Sequence, residues 1–256
     1  MPTFITNSLI AGILASFACG FGALPLAIRG INLEKHTGIA YSAAGGLMFA
    51  ASVYNLILPG LTIRSSSIHL AQALPVIVGI LLGASFLSLV DRYLSTERLE
   101  QDSWKRFGTK AQLLIFIAMA VHSIPEGIAV GVGYSSEAVY ANNLGNYIAL
   151  AIALHNIPEG LAVAVPLRAA GASMMRCFWA AFLTSLPQPI AAVPAAYVSW
   201  LFQPIMPVLM GFAAGAMIFL VILELIPEAL HSSSPIKVAW AFSIGFCAMI
   251  LIQVLL

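Results

Sequence analysis

Charge is scarce in this sequence. Of its 256 residues 8% are Asp, Glu, Lys or Arg, where soluble globular domains carry roughly a quarter. A formal net charge of +1 leaves no basic stripe to meet a phosphate backbone, so nucleic acid is excluded as a partner. Cysteine is scarce as well. Cys19, Cys177 and Cys247 lie scattered in or beside apolar segments with no CxxC spacing. That excludes a disulfide framework and a thiolate zinc site, and leaves three small buried hydrophobes. A basic N-terminal leader is also missing. The opening stretch MPTFITNSLIAGILASFACGFGALPLAIRG is long enough to span a bilayer and reads as a retained first helix.

Apolar residues fill the space that charge leaves. The chain is 61% hydrophobic with a mean hydropathy of +0.97, and a soluble core has no way to hide that much apolar surface. Long apolar runs of this kind indicate an all-α polytopic membrane protein. Eight transmembrane helices are expected, at about 4–28, 39–61, 71–90, 111–132, 146–167, 178–201, 204–226 and 238–256. At 1.5 Å per residue each is roughly the length that a ~30 Å hydrocarbon core demands. Connections are short, so residues 1–256 are expected to form a single transmembrane domain.

Ten of the eleven basic residues fall in the connections after spans one, three, five and seven, and Arg64 alone falls on the other side. Under the positive-inside rule both termini face outward and the longest connection, 91–110, is cytoplasmic. Weak inverted symmetry accompanies this. Span two reads AAGGLMFAASVYNLILPGL and span seven FAAGAMIFLVILELIPEAL, yet they run in opposite directions. Inverted repeats mark transporters that bind substrate near the midplane.

Six of the ten acids, Glu34, Asp91, Glu97, Glu100, Asp102 and Glu137, sit in connections; Glu126, Glu159, Glu224 and Glu228 do not. An ionised carboxylate at the centre of a membrane helix costs at least about 2.5–3.5 kcal/mol, so it faces the interior with a partner. No intramembrane Lys or Arg is at hand for Glu126 or Glu159, and a cation from outside is the natural alternative. Both glutamates belong to a repeated motif, HSIPEGIAV at 122–130 and HNIPEGLAV at 155–163. In each copy His and Glu are four residues apart and share a helix face. His122 and His155 each lie ten or eleven residues into a span, at mid-membrane. Neighbouring helices would therefore gather His122, Glu126, His155 and Glu159. Two imidazoles with two carboxylates suit four-coordinate zinc and are too nitrogen-rich for calcium or magnesium.

One buried histidine on an apolar helix is ordinarily a hydrogen-bonded core residue. Two with the same offset, depth and glutamate point instead to a metal. Pro125 and Pro158 remove amide hydrogens and disturb the carbonyls of Val121 and Leu154, which membranes tolerate where backbone lines a cavity. Glu224, Glu228 and His231 lie near the cytoplasmic end of span seven, where a solvated helix end and an exit-route site are both compatible with the pattern. His36 and His69 stand at loop margins, and Met119 reads as core filler.

Carried by the paired HxxPEG motifs, the span count and the AAGAMIF…ELIPE style of span seven, the whole chain resembles the ZIP (Zrt/Irt-like protein) family of divalent metal transporters, in particular its bacterial GufA-like branch. The resemblance implies a 3+2+3 helix arrangement, a two-metal centre between spans four and five, and a homodimer in a bacterial inner membrane. His122, Glu126, His155 and Glu159 match the family's primary site. The second site draws on the residue after each motif histidine and a glutamate of span six. Asn156 fits, but Ser123 replaces the commoner Asn and Gln188 stands where Glu is expected. An amide is a weaker, uncharged oxygen ligand. One divalent ion neutralises Glu126 and Glu159, whereas a second leaves roughly +2 in low dielectric. A formed primary site and a weakened second one are expected. The loop 91–110 has no histidine, so no loop metal sensor is expected.

The resulting expectation is an inward transporter of zinc, with iron, manganese and cadmium also compatible with the ligand set. It holds no cofactor; zinc is cargo, and the bilayer is its environment. Two rivals remain. A transporter of another substrate would use the His/Glu pairs as a proton relay. An intramembrane metalloprotease would need HExxH, and HSIPE and HNIPE place no glutamate beside the histidine, so an enzyme is not expected.

Overall fold

In hydrocarbon a chain must satisfy every backbone amide internally, and runs of Leu, Ile, Val, Ala and Phe without interior charge do this as helix. The computed structural model describes residues 2–27, 37–63, 69–94, 108–169 and 171–255, and among them every regular element is helical. Helix α1 is Thr3–Phe21. Helix α2, Thr37–Ala51, runs through a wide π-turn, Ser52–Ile57, into α3, Leu58–Thr62. Then come α4 (Leu70–Leu94), α5 (Gly108–Tyr140) and α6 (Leu144–Ala169). Two short helices follow, α7 (Met174–Thr184) and α8 (Pro187–Leu201). Helix α9 (Met206–Leu220) passes through a second π-turn, Val221–Leu225, into α10 (Ile226–Ser232), and α11 is Pro235–Leu255.

Six stretches are long and apolar enough to cross a membrane: Thr3–Ala27, Gly38–Thr62, Leu70–Tyr93, Leu144–Val165, Gln203–Ser232 and Pro235–Leu255. They coincide with the first, second, third, fifth, seventh and eighth expected spans. The fourth expected span falls within α5 and the sixth within α7 and α8. These two helices have 11 and 15 residues, each short of the ~20 that a crossing takes. Most of the expected cytoplasmic loop 91–110 lies outside the described residues. So do Arg29, Glu34, Lys35, His36, Arg64, Glu97, Arg98, Glu100, Asp102, Lys105 and Arg106, and the expected span ends Ile28 and Leu256.

The backbone irregularities do not fall where the motif prolines are. Helices α5 and α6 continue through Pro125 and Pro158. The π-turns instead precede Pro59 and Pro227, where the wider turn draws a carbonyl away from the proline ring. The break between α7 and α8 precedes Pro187 and Pro189, which supply no amide hydrogen to the preceding turn.

Packing is closest along a few helix pairs, and α5 against α9 and α2 against α6 join them into one bundle. Helix α4 packs along α9 and α2 along α11; α5 packs along α8 and α1 against α6, α7 and α8. The α4–α9 pair is a small-residue seam. Gly79 and Gly83 face the backbone of Val208 and Phe212, and Gly211 and Gly215 face that of Val76 and Ile80. Spacing glycines four apart on both helices lets the backbones touch, as membrane helix pairs commonly require. Helices α5 and α6 are joined by a short turn in which Ala141 takes φ 51°. The turn is pinned by Leu144 N–H donating to Asn142 Oδ1 (3.1 Å) and Asn146 N–H donating to Glu137 Oε1 (3.1 Å). This hairpin brings the two HxIPEG copies side by side.

Candidate metal centre

Helix periodicity turns both motif glutamates and both motif histidines inward, and all four side chains are buried. Glu126, His155 and Glu159 form one group, each offering a ligand atom within 4.8 Å of the others. His155 Nε2 lies 3.1 Å from Glu126 Oε1. Glu159 Oε1 and the Nδ1 atoms of both histidines have no hydrogen-bond partner among the described residues. A buried carboxylate oxygen with no donor, beside an imidazole and a second carboxylate, presents lone pairs, and no Lys or Arg pairs with it among the described residues. Such a donor set fits a divalent metal with mixed N/O ligands.

His122 does not join that group. Its Nε2 lies 3.4 Å from Glu224 Oε1, on the π-turn that follows α9. The Glu224 side chain is 38% exposed and that of His122 3%, so the pair leads from the buried centre toward an open surface. The structure thus divides the four expected primary ligands into a triad and one histidine, and brings to that histidine one of the expected exit-route residues. Glu228 and His231 stay on the exposed face of α10.

The expected second-site residues are all fully buried, and all are engaged in hydrogen bonds. Gln188 Nε2 donates to Glu126 Oε2. Asn156 Nδ2 faces Gln188 Oε1 at 3.1 Å, Ser185 Oγ at 3.2 Å and the Ala15 carbonyl at 3.0 Å. A chain of amides thereby runs from α1 through Asn156 and Gln188 to the Glu126 carboxylate, whose other oxygen meets His155. Ser123 is turned to a different task. Its hydroxyl has the Thr184 carbonyl at 3.1 Å and the Met119 carbonyl at 3.2 Å as acceptors.

Several residues that sequence reasoning passed over hold this arrangement. The break at Ser185–Leu186 interrupts the regular helical ladder inside the bundle, although the Ser185 carbonyl still accepts from Gln188 N–H at 3.0 Å. Ser16 Oγ donates to the Ser185 carbonyl (2.9 Å), and Ser123 serves the Thr184 carbonyl. Irregular backbone at membrane depth requires this kind of repair. The signal was available in SLPQP, two prolines around Gln188, but nothing in the sequence tied it to Ser16. Asn55 was also missed. It is fully buried in the π-turn after α2, and neither amide atom has a partner among the described residues.

The sequence model of the ZIP Zinc transporter family matches residues 97–253. Zinc transporter GufA of Myxococcus xanthus is 34% identical over 225 residues, covering 86% of this chain and 87% of that protein. Zinc transporter ZIPB of Bordetella bronchiseptica is 30% identical over 251 residues, covering 96% and 80%. Zinc transporter ZIP11 of Homo sapiens is 42% identical over 155 residues, which is 59% of this chain and 44% of that longer protein.

Proposed function

Because the chain belongs to the ZIP zinc transporter family, we propose that it carries divalent metal ions, zinc foremost, across a membrane into the cytoplasm. The observation that carries this reading is the buried Glu126–His155–Glu159 triad on adjacent helices, with no Lys or Arg paired to it among the described residues. Carboxylate and imidazole donors bind zinc at about 2.0–2.2 Å. Two carboxylates balance the ion's charge, so a dehydrated cation rests there without leaving net charge in oil. Iron, manganese and cadmium share enough of this ligand preference to be carried too.

His122 completes the primary site in one state and pairs with Glu224 in another. Rotation between these partners hands the ion from the triad toward Glu224, and then to Glu228 and His231 at the cytoplasmic end. Conduction needs binding weak enough to release, and a histidine shared between two carboxylate sites supplies it. Protonation of the histidines competes with the metal and aids release.

The second metal position is weak or absent in this reading. The Gln188 amide already donates to Glu126 Oε2, where a second cation would otherwise draw on that oxygen. The wider frame is eight crossings in a 3+2+3 inverted-repeat bundle, termini outward, as a homodimer in a bacterial inner membrane. The exposed rings of Tyr197 and Trp200 fall in the last turns of α8, and that of Trp240 in the second turn of α11, as interfacial anchors do.

The His155–Glu126 contact would equally serve a proton relay, and flux measurements separate the two readings. In proteoliposomes, zinc influx should be abolished by Glu126→Ala and by Glu159→Ala. Proton flux without metal flux in the unaltered protein would establish the relay instead.

A further inference from the structure

Helices α1 and α6 touch at one end and part at the other. At the close end a Cβ on Gly160 would strike the Cys19 carbonyl, and one on Gly22 the Ile157 carbonyl. Toward the N-terminal ends of both helices the side chains are too small to keep contact. Ala11 and Ala15 of α1 face Ala149 and Ala153 of α6 across a cavity of about 400 Å³. The cavity is polar at one end only. Asn7 and Asn146 flank its mouth, and Tyr134 Oη donates to Asn146 Oδ1 at 3.0 Å, leaving the Asn146 amide hydrogens free to donate.

We propose that this groove binds one acyl chain of a bilayer phospholipid, with its ester and headgroup region at Asn7 and Asn146 and the chain end at Ala15. The proposal rests on the membrane reading of the chain. The lining has no acid, base or histidine, so neither the metal nor a charged peptide finds a partner there. Its polarity runs as a lipid's does, hydrogen-bonding at the helix ends and aliphatic below. Its length agrees as well. The eight helical steps from Asn7 to Ala15 rise about 12 Å along a helix, close to half of a ~30 Å hydrocarbon core. Ile10 and Leu14, 50% and 61% exposed, open the groove sideways to the bilayer, so a chain enters without displacing protein.

The location gives the lipid a function. The groove ends at Ala15, whose carbonyl accepts from Asn156, and the next residue, Ser16, holds the Ser185 carbonyl. An acyl chain between α1 and α6 supports α1 where it grips the amide chain beside the metal centre.

The test uses the full protein in liposomes containing a phospholipid with a photoactivatable diazirine near the acyl terminus. After irradiation, labelled residues are mapped by mass spectrometry. Leu14 and Leu150 should be labelled several-fold more than Leu81 and Ile244, which are 63% and 62% exposed on α4 and α11. Ala153→Phe fills the groove and should lower labelling of Leu14 several-fold while leaving Leu81 unchanged; Ala149→Leu serves if the first variant does not fold. Labelling of Leu14 no stronger than that of Leu81, or insensitive to both fillings, overturns the proposal. So does a Leu14→Cys cross-link between two chains, which would place a second copy there. Zinc flux in the same liposomes reports on the transport reading separately.

Discussion

Gln188→Glu tests how this chain differs from a two-metal transporter. In the native site the Gln188 amide donates to Glu126 Oε2, and a hydrogen bond to a charged group contributes about 1.5–3 kcal/mol. The substitution removes that donor and sets two carboxylates in contact. At ~4 Å and an effective dielectric of ~20 their repulsion is about 4 kcal/mol. Without metal, the variant is therefore expected to be less stable by roughly 5 kcal/mol or more, unless it takes up a proton. A cation relieves the strain. Three carboxylates with two divalent ions leave a net charge of +1, where the native pair of carboxylates with two ions would leave +2.

The measurement is zinc bound per chain in nanodiscs, referenced to a Glu126→Ala, Glu159→Ala double variant so that surface ions cancel. The native protein should hold one zinc at the centre and Gln188→Glu two. In chelator the variant should melt well below the native protein, and zinc should raise its midpoint more steeply. Gln188→Leu removes the amide without adding charge, so it should melt lower in chelator yet gain no second zinc. Two central zinc ions of equal occupancy in the native protein would refute the reasoning. An undiminished melting temperature of Gln188→Glu in chelator would refute it as well.

Glu224→Gln keeps a hydrogen-bonding group opposite His122 but removes the charge that would draw the ion onward. Zinc binding at the centre should persist while zinc flux in proteoliposomes falls; unchanged flux would remove Glu224 from the route. Ser16→Ala leaves the Ser185 carbonyl without its side-chain donor inside the bundle. The carbonyl keeps the Gln188 N–H at 3.0 Å, so the expected cost is about 0.5–1.5 kcal/mol, read as a lower melting temperature in detergent. Ala141→Gly relieves a left-handed alanine at φ 51° in the α5–α6 turn. It should raise stability by about 1 kcal/mol, with zinc flux retained; a lower melting temperature would show that the turn is not strained.

The helices and the inward face shared by each motif's His and Glu were legible because both follow from local pattern. A bilayer-length apolar run has no stable alternative to helix, and a His four residues before a Glu shares its face in any helix. Partners across helices were not legible, because periodicity says which face a residue takes and not which helix opposes it. His122 has the same offset and depth as His155, so sequence treats them alike. In the structure His155 meets Glu126 and His122 meets Glu224. The prolines misled for a related reason. Those in the motifs looked like the helix breakers, yet α5 and α6 absorb them, and the irregular turns precede Pro59, Pro187 and Pro227.

The weak match between spans two and seven gains most from the structure. Both helices widen into a π-turn just before a proline, and in each turn the fourth residue is polar: Asn55 in Ser52–Ile57 and Glu224 in Val221–Leu225. Two unrelated helices have little reason to place a rare turn and a polar side chain at the same point. That recurrence is what the expected inverted repeat would give, each half carrying the same local solution. The two turns differ in charge and in exposure, with a buried neutral amide in one and a partly exposed carboxylate facing His122 in the other. The two turns are alike in backbone and unlike in charge. Under the proposed transport, that difference in charge would give a cation leaving the triad a preferred direction, toward Glu224.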